Sequence, residues 1–313
     1  MSDMADGGGS TLDRLISRNL KAKHTWICPT DVCVFSSATK LAKLISGLSG
    51  VTHTGATVAG TENAGTTNAG VANAGMAIRT GESLGGTPIS CTDLRAVCRT
   101  AHARGEAVVC DNTLATSFGC AAIRLGADIA CEDLGHALGD AGAGLIAVSL
   151  SADFLAAYPE IGERLDQTAV DHELVLSLTG GYLCWDAKRK KQNDAALVIA
   201  EYLVCHPKVA RVWYPGLLRD QRDSSRADQS NAEAPNILLG GFGPVVDFEL
   251  AAGHELAAGH ELAAGHELAV VHGLTFAENL HMRAMGKKLV RLCCTEDDAV
   301  TQARAVEQAL GAL

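Results

Sequence analysis

The sequence predicts an α/β protein, with a large domain on a parallel sheet followed by a smaller α+β domain. Three observations predict it. Strand and helix signals alternate through the middle of the chain, as they do in parallel α/β sheets. The strands there are short apolar runs of the kind that lie buried. Near residue 185 the pattern changes to a helix, several strands and a closing helix. At 313 residues the chain is long enough for two domains with cores of their own.

Residues 1–30 are expected to be an irregular segment, 31–185 the large domain and 186–313 the small one. Between Thr61 and Gly75 the triplet Asn-Ala-Gly recurs every five residues, in "ENAGTTNAGVANAG". That period matches no helix or strand face, and Gly and Asn favour turns, so a loop is expected. Leu94, Val97, Cys98 and Ala101 mark one face of a helix that ends at Gly105. "EAVVCDN" reads as a buried strand. "CAAIRLGADIACEDL" reads as a helical turn, a glycine and a second strand, and "GLIAVSL" as a third. Ligand-binding residues in such sheets gather at the carboxyl ends of the strands. Asp111 ends one strand, and His136 falls in the expected loop after the next.

In the second domain "QNDAALVIAEYLVCHP" reads as a helix, and "ARVWYPG", "GPVVDFEL" and "KLVRLCC" as strands. "TEDDAVTQARAVEQALGAL" reads as a closing helix, with Thr295 and Asp298 at its N-cap and third position. Arg291 lies inside an apolar strand. It is either a rim residue or a carboxylate clamp, because its planar fork matches two oxygens.

Composition narrows the function classes. The net charge of −10 and the lack of a Lys/Arg run argue against nucleic acid as a partner. The start has no basic or apolar signal region, and no apolar run reaches bilayer length, so a cytoplasmic protein is expected. Eleven cysteines without C-x-x-C spacing fit reduced, buried thiols better than disulfides or zinc. The repeat "HELAAGHELAAGHELA" offers His254, His260 and His266. A helical step of six residues turns about 600°, so they point three ways, and on a strand they are too far apart for one ion. No metal site is expected, and duplication is the better account of the repeat.

"AHARGEAVVCDNTLATSFGCAAIRLGADI" resembles the PLP-dependent Cys/Met-metabolism (trans-sulfuration) family, which includes cystathionine γ-synthase and γ-lyase. "HPKVARVWYPGL" resembles that family's "HPxVxxVxYPGL", "GPVVDFEL" its "GGMxSFEL", and "KLVRLCCTEDD" its "xIRLSVGxEDxxD". The matches keep family order over roughly residues 90–313. The resemblance implies PLP fold type I, the aspartate-aminotransferase architecture. Its large domain carries a mostly parallel sheet and its small C-terminal domain is α+β, here with a truncated N-terminal part. Pyridoxal 5′-phosphate is the implied cofactor and an amino-acid-like molecule the implied ligand. Asp111 matches the partner of the pyridinium nitrogen, whose charge keeps the ring protonated. Arg291 matches the clamp on the substrate carboxylate. "VFSSATKLA" resembles the phosphate loop and places Ser36 and Ser37 on it.

The departures from the family are specific. After "LGAD" the family reads "HSxTKYxxGH"; this chain reads "CEDLGHALGD". His136 stands at the Schiff-base lysine, and Asp133 and Gly135 stand at the Ser and Thr that bind phosphate. Gly86 stands at the asparagine that contacts the pyridine hydroxyl. The motif "YxRxxNPT" and the ring-stacking tyrosine are not recognisable. The expected function is a trans-sulfuration-family protein of sulfur amino-acid metabolism without standard PLP catalysis. One alternative is an enzyme using pyridoxamine phosphate or PLP with His136 as base. A second is a lyase or synthase working through Lys40. A third is a non-catalytic partner of an active paralogue. The expected assembly is a homodimer, or a heteromer with an intact paralogue that donates the missing residues.

Overall fold

The computed structural model describes residues 11–30, 77–217, 231, 233–253, 281–285 and 288–311. The chain forms two units. Among the described residues the first holds 11–30, 77–81 and 94–185, and the second holds 82–93 and everything from Asp186 onward. Residues 82–93 thus belong to the unit that is otherwise C-terminal.

Within residues 11–30, part of the stretch expected to be irregular, the described chain forms a helix and a strand. Helix α1 (Leu12–Leu20) buries Leu12, Leu15, Ile16 and Leu20. That i, i+3, i+4, i+8 spacing makes one continuous apolar stripe. Lys21 stops the helix in a left-handed conformation (φ 64°), and its N–H bonds the Ser17 carbonyl. Strand β1 (His24–Pro29) buries Thr25 to Cys28 without a break. The helix was hard to read because it is only nine residues long, with charged residues between its leucines.

Strand β2 (Ala77–Glu82), β5 (Glu106–Asp111), β6 (Ile129–Asp133) and β7 (Leu145–Leu150) join β1 in one sheet of order β1-β7-β6-β5-β2. Strands β5 and β6 run parallel, which brings Asp111 opposite Cys131. Strand β7 runs antiparallel to β6 and to β1 and builds the far side of the sheet. The carboxyl ends of β5 and β6 therefore lie on one edge, and the candidate residues follow from that. Helix α2 (Leu94–His102) packs Leu94, Cys98 and Ala101 inward. The core beneath β7 includes Phe154 of α5 (Ala152–Ala157) and Ile161 and Leu165 of α6 (Pro159–Thr168).

His136 is not in a loop. Strand β6 turns directly into a short helix, α4 (Leu134–Leu138), after the four-residue α3 (Thr116–Gly119). Asp133 caps α4: its Oδ1 accepts the Gly135 N–H at 2.8 Å. Helix α7 runs from His172 to Cys205, far longer than the segment read from sequence. The glycine pair Gly180–Gly181 hid its first half. A Cβ at Gly181 would sit 3.2 Å from Leu138 of α4, so the bare glycine permits a close approach there. The boundary between the units falls within this helix, after Trp185.

The second unit contains the β3 (Leu84–Gly85) and β4 (Ser90–Cys91) pair and a four-stranded antiparallel sheet. Its order is β10 (His281–Ala284), β11 (Leu289–Cys293), β9 (Val245–Leu250), β8 (Val209–Trp213). Short α8 (Ala234–Ile237) precedes β9, and α9 (Ala299–Gly311) closes the chain. Ile199, Leu203, Phe248, Leu292 and Val306 share its core. The α9 cap differs from expectation. Asp298, not Thr295, is the capping residue, its Oδ2 accepting the Thr301 N–H at 3.0 Å. Thr295 is held by the Gln302 side chain, whose Oε1 accepts its N–H at 3.0 Å.

Candidate functional site

In the first unit the site grows from the paired ends of β5 and β6. Asp111 is the last residue of β5, and its Oδ1 accepts the Thr113 N–H at 2.9 Å. The Thr113 hydroxyl accepts the Asp133 N–H at 3.0 Å and ties the two strand ends together. Asp133 then caps α4, and His136 follows one turn on. Asp111 and Asp133 both act on the charge of His136.

The His136 residue is exposed, yet protein crowds its ring. That desolvation lowers its pKa below the ordinary value, and Asp133 and Asp111 oppose it without reversing it. The ring lies edge-on to Trp185, with centroids 6.0 Å apart. Trp185 stacks on Tyr182 at 6.2 Å, and Tyr182 on Phe118 at 5.0 Å.

Sequence reading missed the group beside this edge. Glu132, one residue before the cap, is 2% exposed. Its Oε2 accepts the Ser117 N–H at 2.9 Å, and the Tyr182 hydroxyl donates to its Oε1. Ser117 Oγ lies 3.0 Å from the same hydroxyl. Burial, then the Glu132 charge, push the Tyr182 phenol well above its usual range. The available signal was a carboxylate inside the apolar strand run "DIACED", with Tyr182 and Trp185 three apart on one helix.

Arg291 lies in the second unit, in register with Asp247 across β11 and β9. Its Nε donates to Asp247 Oδ1 at 2.8 Å and its Nη2 to Oδ2 at 2.7 Å. Burial alone would lower the Arg291 pKa, but the hydrogen bonds and charge of Asp247 outweigh it and raise it. Thus Asp111 and His136 share one strand edge of the first unit, and Arg291 pairs with Asp247 within the second. Ser36, Ser37, Lys40 and the Gly/Asn-rich and His-Glu-Leu repeats lie outside the described residues.

A covalently held pyridoxal phosphate needs a lysine, and residues 94–185 contain none. The described lysines of the first unit are Lys21 and Lys23. The Lys23 N–H bonds the Leu150 carbonyl, and Leu150 pairs with both His24 and Ile129. Lys23 therefore sits at the amino end of β6. Asp133 is four residues further along, about 13 Å at ~3.3 Å per residue, beyond the reach of a lysine side chain. Asp133 also places a carboxylate at the start of α4, where its Oδ1 holds the Gly135 N–H. The residues of this edge do not fit a covalently held pyridoxal phosphate.

The comparisons with known proteins place the fold. The family described as Cys/Met metabolism PLP-dependent enzyme matches residues 5–298. Cystathionine gamma-synthase 1 of Arabidopsis thaliana is 30% identical over 167 residues, covering 52% of this chain and 27% of that one. Cystathionine beta-lyase of Mimosa pudica is 30% identical over 152 residues, covering 44% of this chain and 30% of that one. The chain thus spans less than a third of the length of these curated relatives. The crystal structure of a methionine gamma lyase from Micromonospora echinospora superposes with a TM-score of 0.64 at 22% identity, over 96% of this chain and 85% of that one. This likeness gives PLP fold type I. Among the described residues no helix is long and apolar enough to cross a membrane. On the match over residues 5–298, the chain belongs to the Cys/Met-metabolism family of PLP-dependent enzymes, the trans-sulfuration family.

Proposed function

We propose that this chain is a trans-sulfuration-family protein that keeps the scaffold and has lost lysine-dependent PLP catalysis. One observation carries the reading. His136 stands in the first turn after β6, where the resemblance puts the family's lysine, and neither described lysine of the first unit, Lys21 or Lys23, lies within reach of that strand end. Imidazole has no primary amine and cannot condense with an aldehyde. The Asp133 carboxylate supports the same reading, because it would repel a phosphate held close by. The role is then structural or regulatory, as a homodimer or as the non-catalytic partner of an active paralogue. The test is to add PLP to the full chain, reduce with borohydride and map adducts by mass spectrometry. The expected result is no lysine adduct. A stoichiometric adduct on any lysine, Lys40 included, overturns the reading. Light scattering tests the assembly, and a clean monomer at micromolar concentration contradicts it.

A second reading has one observation in its favour. The lowered pKa of His136 keeps the ring neutral near pH 7, as a general base requires. It would serve an enzyme that takes pyridoxamine phosphate without a covalent link. Calorimetry decides it: no heat of binding at millimolar pyridoxamine phosphate ends this alternative.

A further inference from the structure

A guanidinium presents two parallel donors that match the two oxygens of a carboxylate. In this chain that fork is already filled. Arg291 Nε and Nη2 hold the two oxygens of Asp247. Nη2 also donates to the Gly86 carbonyl at 2.5 Å. Asp247 is gripped a third time, because its Oδ2 accepts the Ile89 N–H at 2.6 Å. The residues come from β11, β9 and the segment between β3 and β4, all within the second unit.

The burial is lopsided. The Asp247 side chain has no exposed surface, while that of Arg291 keeps 20%. The acid approaches the fork from the core side, and the arginine spans from the core towards water. A free carboxylate could take this fork only by stranding a fully buried Asp247 without its cation, which is strongly unfavourable. The competition is also uneven, because Asp247 is tethered in register while a ligand must come from solution.

We propose that Asp247 fills, from within the chain, the Nε/Nη2 fork that Arg291 would otherwise offer, and so closes that fork to amino-acid-like carboxylates. This holds whether or not the first unit binds a cofactor. It would make Asp247 the residue that decides specificity at Arg291.

Acetate is the probe, because it is a carboxylate with almost nothing else attached. The full chain is melted in sodium acetate and in sodium chloride of equal ionic strength. The wild-type melting temperature should be the same in both. Asp247→Ala should melt lower in chloride, and acetate should raise its melting temperature by a few degrees in a saturable way. The double variant Asp247→Ala, Arg291→Gln should show no acetate-specific rise. An acetate-specific rise in the wild type that Arg291→Gln abolishes overturns the proposal. So does a folded Asp247→Ala that acetate does not stabilise. Should Asp247→Ala fail to fold, the Arg291 Nε–H resonance of the wild type is followed during acetate titration. An unmoved signal supports the proposal, and a saturable shift overturns it.

Discussion

Asp133 and Asp247 are both carboxylates in apolar strands, and the chain satisfies both from within, yet they differ in how deeply they are held. Asp133 sits at a strand end, half-buried, and gives one oxygen to the first turn of α4. Asp247 sits mid-strand, fully buried, with an arginine on both oxygens and a backbone N–H besides. A cap of the first kind contributes about 1 kcal/mol and can change without reaching the core. A buried ion pair of the second kind is locked in place, because loss of either partner leaves a charge in a low-dielectric surrounding. The strand edge of the first unit is therefore free to drift in function, while the Arg291 cluster is bound to the fold of its sheet.

The sharpest way to break this comparison is at the buried pair. Arg291→Met leaves Asp247 in the core without its cation, and should cost about 3–5 kcal/mol of stability by urea unfolding. Asp247→Leu combined with Arg291→Met removes both charges and should recover most of that loss. If the double variant is no more stable than the single one, the pair does not behave as a coupled unit.

The next effect belongs to Glu132. Tyr182→Phe removes the hydroxyl that donates to this carboxylate and should cost about 1–3 kcal/mol. Adding Glu132→Gln removes the charge that the lost hydroxyl was solvating, so the second change should cost less in the Tyr182→Phe background than alone. Additive losses would show that the two side chains act independently.

The fold was legible where apolar runs were uninterrupted. Strands β5, β6, β7, β9 and β11 each follow from five or six residues with few polar members, and Asp, Gly or Pro stands at a boundary of the first four. What stayed hidden had a physical reason in each case. Helix α1 is short and its apolar stripe is narrow, so the pattern is easily lost among Arg14, Ser17 and Arg18. The first half of α7 contains Gly180 and Gly181, which ordinarily mark breaks but here lie inside a continuous helix. The site was legible as residues and not as partners. Asp111 and His136 follow from strand ends, since the parallel pairing of β5 with β6 fixes their common edge. That Arg291 would face Asp247 depends on the register of two strands more than 40 positions apart, which one sequence does not specify. The Glu132–Tyr182 contact depends likewise on where a helix begun at His172 lays its side chains.

The smallest expected effect lies at His136 and separates the exposed edge from the buried one by pH. Its folded pKa is lowered, chiefly by crowding, with Asp133 and Asp111 holding it partly up. An unfolded chain protonates this ring near its ordinary value of about 6.5. Above that pH the ring is neutral in both states and the residue adds no pH dependence. As pH falls below it, the unfolded state takes up the proton first, so protonation favours unfolding and the native state loses stability. The loss grows until the pH passes the lowered folded pKa, and is then constant. His136→Gln should remove this slope while leaving stability above pH 7 nearly unchanged, because the residue as a whole is exposed and the amide is uncharged like the neutral ring. Asp133→Asn should steepen it, since one of the two charges that favour the protonated ring is gone. The pH dependence of unfolding, measured beside the ring C–H chemical shifts, checks both. A ring that titrates above 6.5 in the folded protein would mean that Asp111 and Asp133 dominate. His136 would then be a cation at the strand edge, which the general-base reading does not survive.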